Sequence, residues 1–129
     1  MTRVLLDTHA FLWYIEGDPQ LSATARGLIE RSDSERLLSV ASVWEMAIKV
    51  SIGRLASQAP FAASLRRMLD YNQIDMLYPT IDDFDLVSNL PFHHRDPFDR
   101  LIVAQATTQA IPLISADRIF DGYGVDRRW

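Results

Sequence analysis

The chain has 129 residues and a mass of 14.7 kDa, which is one domain's length and enough to bury a real core. Hydrophobic residues make up 48% and charged residues 23%, so disordered, collagenous and coiled-coil classes are excluded, and no apolar run approaches the ~18 residues that span a bilayer. There is no cysteine, which removes disulfides, thiolate catalysis and cysteine-held zinc. The formal net charge is −4, from 13 basic and 17 acidic residues, and this lacks the basic footprint of a tight electrostatic nucleic-acid binder. Twelve of the 13 basic residues are arginine and one is Lys49.

The opening MTRVLLDTHA carries an acid soon after a short apolar run, so it reads as a strand rather than a signal peptide, and a cytoplasmic location is expected. Arg3–Leu6 is a short buried strand. Ala10–Glu16 follows as a helix that Gly17, Asp18 and Pro19 stop. Ser22 caps the next helix, whose Leu21, Ala25, Leu28 and Ile29 share one face. Arg36–Val40 is the second strand, and Ser42–Ile52 a helix closed by Gly53. Pro60 opens another helix with Phe61, Leu65, Met68 and Leu69 on one side. Asp75–Tyr78 is a third, weaker strand, Thr80–Leu90 a helix and Pro91–Arg95 a loop. Asp96 and Pro97 start a strong helix that runs through Ala110. Ile111–Ser115 is a strand, and Val125–Trp129 a last edge strand. Strands separated by helices predict an α/β domain over residues 1–129 with a mostly parallel sheet covered on both faces. Right-handed crossovers put the strand-to-helix junctions on one edge, where ligands bind in open α/β sheets.

Carboxylates fall at those junctions. Asp7 follows the first strand, Glu45 lies one turn into the helix after the second, Asp96 and Asp99 open the helix before the last buried strand, and Asp117 sits just past that strand. Each has a structural explanation as well. Asp7 suits an Asx-turn. Ser42-Val43-Trp44-Glu45 is an S-x-x-E capping box. Asp96-Pro97-Phe98-Asp99 is good helix-start chemistry. Asp117 can cap a short Arg118–Asp121 turn. Together, several carboxylates in one crevice repel each other, and a divalent cation removes that cost. An oxygen-only donor set suits Mg²⁺ or Mn²⁺. Such ions serve phosphate chemistry by activating water and offsetting transition-state charge.

Four separated motifs carry a family resemblance: L-L-D-T-H-A-F-L-W at Leu5–Trp13, S-x-x-S-x-W-E at Ser39–Glu45, H-x-D-P-F-D-R-L-I-V-A-Q-A at His94–Ala106 and P-L-I-S-A-D at Pro112–Asp117. The chain resembles PIN-domain ribonucleases, and more narrowly the VapC toxins of VapBC-type toxin–antitoxin pairs. The resemblance implies a three-layer α/β/α fold and a Mg²⁺- or Mn²⁺-dependent endoribonuclease with an acidic quartet. Carried onto this sequence, the quartet is Asp7, Glu45, Asp99 and Asp117, with Asp96 in support. It also implies a homodimer inhibited by a small VapB-like antitoxin, through which alone the toxin meets DNA. Water attack should leave 5′-phosphate and 3′-hydroxyl ends on the RNA. Setting the four acids aside leaves 13 acidic residues against 13 basic ones, so the net charge equals the quartet.

Around the acids, Thr8, Ser42 and Ser115 are candidates to orient ligands or water. Arg95, Arg100, Arg118 and His94 flank the acids and are candidate RNA contacts. Trp13 and Trp44 lie on apolar helical faces and are expected in the core. Three rival readings come from the residues. A phospho-acceptor receiver domain also has acids at a parallel sheet edge and binds Mg²⁺. It needs a lysine after a late strand, whereas Lys49 lies inside a helix, and a phospho-acceptor Asp after the third strand, which ends in Leu77-Tyr78-Pro79. A haloacid-dehalogenase-type phosphatase needs a second Asp two residues after Asp7, where His9 stands. The third is a catalytically inactive PIN-like binding module.

Overall fold

A computed structural model describes residues 2–57 and 60–129. In chain order the elements are β1 (Thr2–Leu6), α1 (Thr8–Glu16), α2 (Ala23–Glu30), β2 (Ser34–Ser39), α3 (Val40–Ser51), α4 (Phe61–Asn72), β3 (Ile74–Leu77), α5 (Ile81–Asn89), α6 (Pro97–Thr108), β4 (Leu113–Ile114), a 3₁₀ helix (Arg118–Tyr123) and β5 (Arg127–Arg128). The five strands form one sheet in the order β3-β2-β1-β4-β5, and every pairing is parallel. This order overturns the receiver reading. Receiver-type sheets run 2-1-3-4-5, whereas here β1 sits between β2 and β4.

The period-two alternation of β1 divides the core. Val4 and Leu6 join Leu38, Ile74 and Ile114 beneath Phe11 of α1, Ile29 of α2 and Leu65 of α4. Leu5 joins Leu37, Leu77 and Leu113 on the opposite face, against Ile102, Val103 and Ala106 of α6. The result is the expected three-layer α/β/α arrangement. α3 touches both cores, through Met46 on one side and Ala41 on the other. Burying a residue such as Phe11 or Ile102, neither of which is exposed, stabilises the fold by roughly 1.5–3 kcal/mol.

Most element boundaries shift by one to three residues from the sequence reading, and three of the shifts have a local cause. The second strand stops at Ser39, whose hydroxyl accepts from Ala41 N at 3.0 Å and caps α3. Val40 therefore begins the helix, because a side-chain cap at Ser39 outweighs the β preference of one residue. α6 ends at Thr108 because Ala110 turns to φ 51°. β4 shrinks to Leu113–Ile114 since Pro112 has no N–H to give a ladder. The Pro112 carbonyl still accepts from Leu5 N at 2.9 Å. Among the described residues no helix is long and apolar enough to cross a membrane.

Two buried polar links hold the helical layer over the sheet ends. Gln105 of α6 accepts from Ser39 Oγ and donates to Leu77 O at 3.1 Å, joining the ends of β2 and β3. Asp83 of α5 closes a capping box with Thr80 and accepts the Thr108 hydroxyl of α6.

Candidate active site

The chain runs outward from β1 through β2 to β3, then crosses to β4 on the other side of β1. The switch point, where ligand crevices form, therefore lies at the carboxyl ends of β1 and β4. Asp7 follows β1 there, and Asp117 lies just beyond β4. Asp7 N donates to Ile114 O at 3.1 Å, tying the two ends together. Ser115 tightens the link. Its Oγ accepts from Asp117 N at 3.0 Å, and its hydroxyl bonds the Asp7 carboxylate. Ser115 is fully buried, so it is an orienting group for both acids. Asp7 also caps α1, accepting from Ala10 N at 2.8 Å. Burial raises its carboxyl above the usual range, and the bonds from Ser115 and Ala10 offset part of that.

Glu45 reaches the crevice from α3. The S-x-x-E capping box at Ser42 is overturned, because Ser39 is the cap and Ser42 lies inside the helix. Glu45 is thereby released from backbone duty. Thr8 Oγ1 stands 2.7 Å from Glu45 Oε1 and 2.9 Å from Ser42 Oγ. An ionised carboxylate only accepts, so the Thr8 hydrogen goes to Glu45 and the Ser42 hydroxyl donates to Thr8. Lys49 Nζ lies 3.0 Å from Glu45 Oε2.

α6 brings Asp96 and Asp99 to the crevice. Asp96 caps it, accepting from Phe98 N at 2.8 Å, and Pro97 fills the first turn. Asp99 sits one turn in, half-buried. Desolvation pushes its carboxyl up to about 7, and the charges of Asp96, Glu45 and Asp7 add to the rise while His94 opposes it. Asp7 feels the charge of Asp117 in turn. The four predicted acids and Asp96 therefore share one electrostatic neighbourhood.

His94 belongs to this neighbourhood as a buried strut rather than an exposed contact. Its Nε2 lies 2.9 Å from Asp117 Oδ2. Its backbone N–H donates to the Tyr123 hydroxyl at 2.7 Å, and Nδ1 lies 3.2 Å from the same oxygen. The Tyr123 hydrogen can then go to Nδ1, which assigns the neutral ring's hydrogen to Nε2, facing Asp117. Phe120 and Tyr123 pack against the ring. Asp117 also accepts from Ile119 N at 3.0 Å and caps the 3₁₀ helix, as its sequence position suggests.

The flanking cations divide. Arg95 and Arg118 are exposed beside the acids. Arg100 is 6% exposed, and its guanidinium donates to the carbonyls of Pro91, Val87 and Leu90 at 2.9, 3.0 and 3.2 Å. It closes the end of α5 onto α6 and has no free face for a phosphate, which corrects its placement among the RNA contacts. Trp44 is likewise not core: it is 62% exposed and meets Phe98 edge-on at 5.2 Å. One face of α3 is simply left open at Trp44, Ile48 and Ile52. Trp13 is packed as expected, with Trp129 against it. Lys49 and Tyr123 escape a motif-based reading. The E-x-x-x-K spacing signals the first; nothing local signals the second.

The donors fit a hard divalent cation in kind, being carboxylate oxygens without sulfur. The mutual repulsion that adds to the rise of Asp99 beyond burial is what a cation among these acids relieves. As placed, no group of three or more His, Asp or Glu among the described residues forms a ready-made metal cage.

Residues 4–125 match the PIN domain family. The chain belongs to that family. Ribonuclease VapC22 of Mycobacterium tuberculosis is 30% identical to this PIN domain over 120 residues, 92% of this chain and 89% of the relative. The fold is also that of two solved VapBC structures. VapBC2 from Rickettsia felis, bound to a DNA fragment from the promoter, superposes with a TM-score of 0.74 at 11% identity, covering 98% of each chain. VapBC-1 from nontypeable Haemophilus influenzae gives 0.66 at 16% identity, over 98% of this chain and 97% of the other. The PIN domain described here is thus a VapC-type member.

Proposed function

We propose that this PIN domain is a metal-dependent endoribonuclease that acts as the toxin of a type II toxin–antitoxin pair. The observation that carries the reading is the shared field of Asp7, Glu45, Asp99 and Asp117 at the switch point of the sheet, with Asp99 lifted to about 7. Those four carboxylates would hold Mg²⁺ or Mn²⁺, which supplies Lewis acidity and activates water when bound.

The chain's own groups prepare the crevice. Ser115 fixes Asp7 and Asp117 relative to each other, Thr8 orients Glu45, and His94 holds Asp117. Asp96 keeps α6 in place and adds negative charge beside Asp99. Arg95 and Arg118, exposed next to Asp96 and Asp117 in the chain, would take RNA phosphates. Water adds in line to phosphorus, the bond to the 3′ oxygen breaks, and that oxygen leaves with a proton. The products are 5′-phosphate and 3′-hydroxyl ends.

Mapping the ends of RNA cut in Mg²⁺ tests this reading. Cyclic phosphate ends overturn the hydrolytic mechanism, and RNA binding without cleavage favours an inactive module. Asp7→Ala and Asp99→Ala should each reduce cleavage by at least about 10³-fold with the fold retained by circular dichroism. Activity retained in either variant shows that the site lies elsewhere.

A VapB-like antitoxin is the proposed inhibitor. Both VapBC structures described above have this fold. An apolar groove of about 350 Å³, lined by Phe11, Leu12, Ile15, Val50, Phe61 and Leu65 among others, lies open between α1, α3 and α4. A soluble, metal-dependent toxin acting in the cytoplasm should arrest growth when induced. Co-expression of a small neighbouring gene should reverse the arrest, and harmless induction in the native host contradicts the toxin role.

A further inference from the structure

Glu45 is held from both sides. Its Oε1 accepts from Thr8 at 2.7 Å, and its Oε2 pairs with Lys49 Nζ at 3.0 Å. Among the described residues it is the one quartet acid paired with a lysine or arginine; Asp117 pairs with a histidine, and neither Asp7 nor Asp99 has an ion pair. The lysine is also the single one in a chain with 12 arginines. That choice has chemical content. Arginine would grip the carboxylate through a rigid two-pronged fork, whereas an ammonium is a point charge on a flexible stem that can let go. The geometry allows release: the Lys49 side chain is 33% exposed against 12% for Glu45, so the ammonium has water to move into while the carboxylate stays.

We propose that Lys49 is an internal competitor for the divalent cation at Glu45. The ammonium neutralises Glu45 while the site is empty and swings out to solvent when a divalent ion binds, so it sets the metal concentration at which the site fills. The proposal rests on the reading of the quartet as metal ligands. It makes Lys49 a positioning residue rather than a catalytic one.

The test is Mn²⁺ binding to the whole chain, followed by the electron paramagnetic resonance signal of free Mn²⁺. Lys49→Met should bind Mn²⁺ about three- to tenfold more tightly than the wild type, the range a partly exposed ion pair supports. Lys49→Arg, which keeps the charge and strengthens the grip, should bind more weakly than the wild type. In a Glu45→Gln background the gain from Lys49→Met should shrink below about twofold, because the competition acts through that carboxylate. Unchanged or weaker binding by Lys49→Met overturns the proposal, and so does an equal gain in the Glu45→Gln background, which would mean bulk charge alone. If Lys49→Met does not fold, Lys49→Arg binding as tightly as the wild type overturns it. Failure of every variant to bind Mn²⁺ removes the metal reading together with the proposal. A wild type that binds Mn²⁺ with no response at position 49 removes only the proposal.

Discussion

The His94 imidazole presents Nε2 to Asp117 Oδ2 at 2.9 Å while its own backbone N–H donates to the Tyr123 hydroxyl. One residue of the loop before α6 therefore fixes both an acid after β4 and the 3₁₀ helix that follows it. His94→Ala removes a buried ring stacked on Tyr123 and packed at a tilt against Phe120. It should destabilise the protein by about 2–3 kcal/mol in a denaturant melt. Cleavage should fall about 10–100-fold, as for other groups that orient a ligand. His94→Gln, which keeps an N–H donor, should recover part of the activity. If His94→Ala cuts RNA at the wild-type rate, Asp117 needs no strut.

Stability should depend on pH in a direction that marks the site. Asp99 stands at about 7 in the folded chain, above its ordinary 3.8, chiefly through burial. The folded state then binds more protons than the unfolded state between about pH 4 and pH 7, so metal-free stability falls as pH rises through that window. Asp7, also raised by burial, adds the same sign. Asp99→Asn should stabilise the metal-free protein at pH 8 by about 1–2 kcal/mol, allowing for solvent screening of a half-buried group. Melts from pH 4 to pH 8 check this. A melting temperature that rises across the window in the wild type contradicts it.

Arg100 should behave as structure. Its guanidinium serves three carbonyls at and beyond the end of α5 and lies over the Phe92 ring at 4.1 Å. Arg100→Met strands those carbonyls and should cost about 2–4 kcal/mol. RNA affinity of the folded fraction should stay within about twofold. Loss of RNA binding at unchanged stability would restore Arg100 to the phosphate contacts.

We propose that the exposed stripe of Trp44 and Ile48 on α3 and Ile52 at its C-cap is the surface of the homodimer that the family resemblance implies. These residues are 62, 38 and 59% exposed and follow each other at i, i+4 and i+8. A contiguous apolar face of this kind is uncommon on a monomer. Ile52→Glu should shift the chain from dimer to monomer in light scattering without lowering its melting temperature. An unchanged dimer places the contact elsewhere.

Much of the candidate site is legible in the sequence. Asp7, Asp96, Asp99 and Asp117 fall where a turn or helix begins, and such starts are written locally, in N-caps and proline at the first turn. The parallel sheet followed from strands alternating with helices. Glu45 was harder to read, because Ser42 offered a second cap that only the shared geometry of Ser39 and Ala41 dismissed. For Arg100 and Trp44 the sequence misleads, because their surroundings come from α5 and from Phe98. Segments distant in sequence decided whether each side chain was covered.

By itself, then, the sequence determined the elements, the order of the acids and the absence of sulfur chemistry, because short-range spacing governs all three. The tertiary structure decided the strand order that puts β1 beside β4, and with it the meeting of Asp7 and Asp117. It also decided that Thr8 and Lys49 share Glu45, and that Asp99 is lifted to about 7. Those are properties of distance and burial, and a carboxylate acquires them only when separate segments exclude water around it.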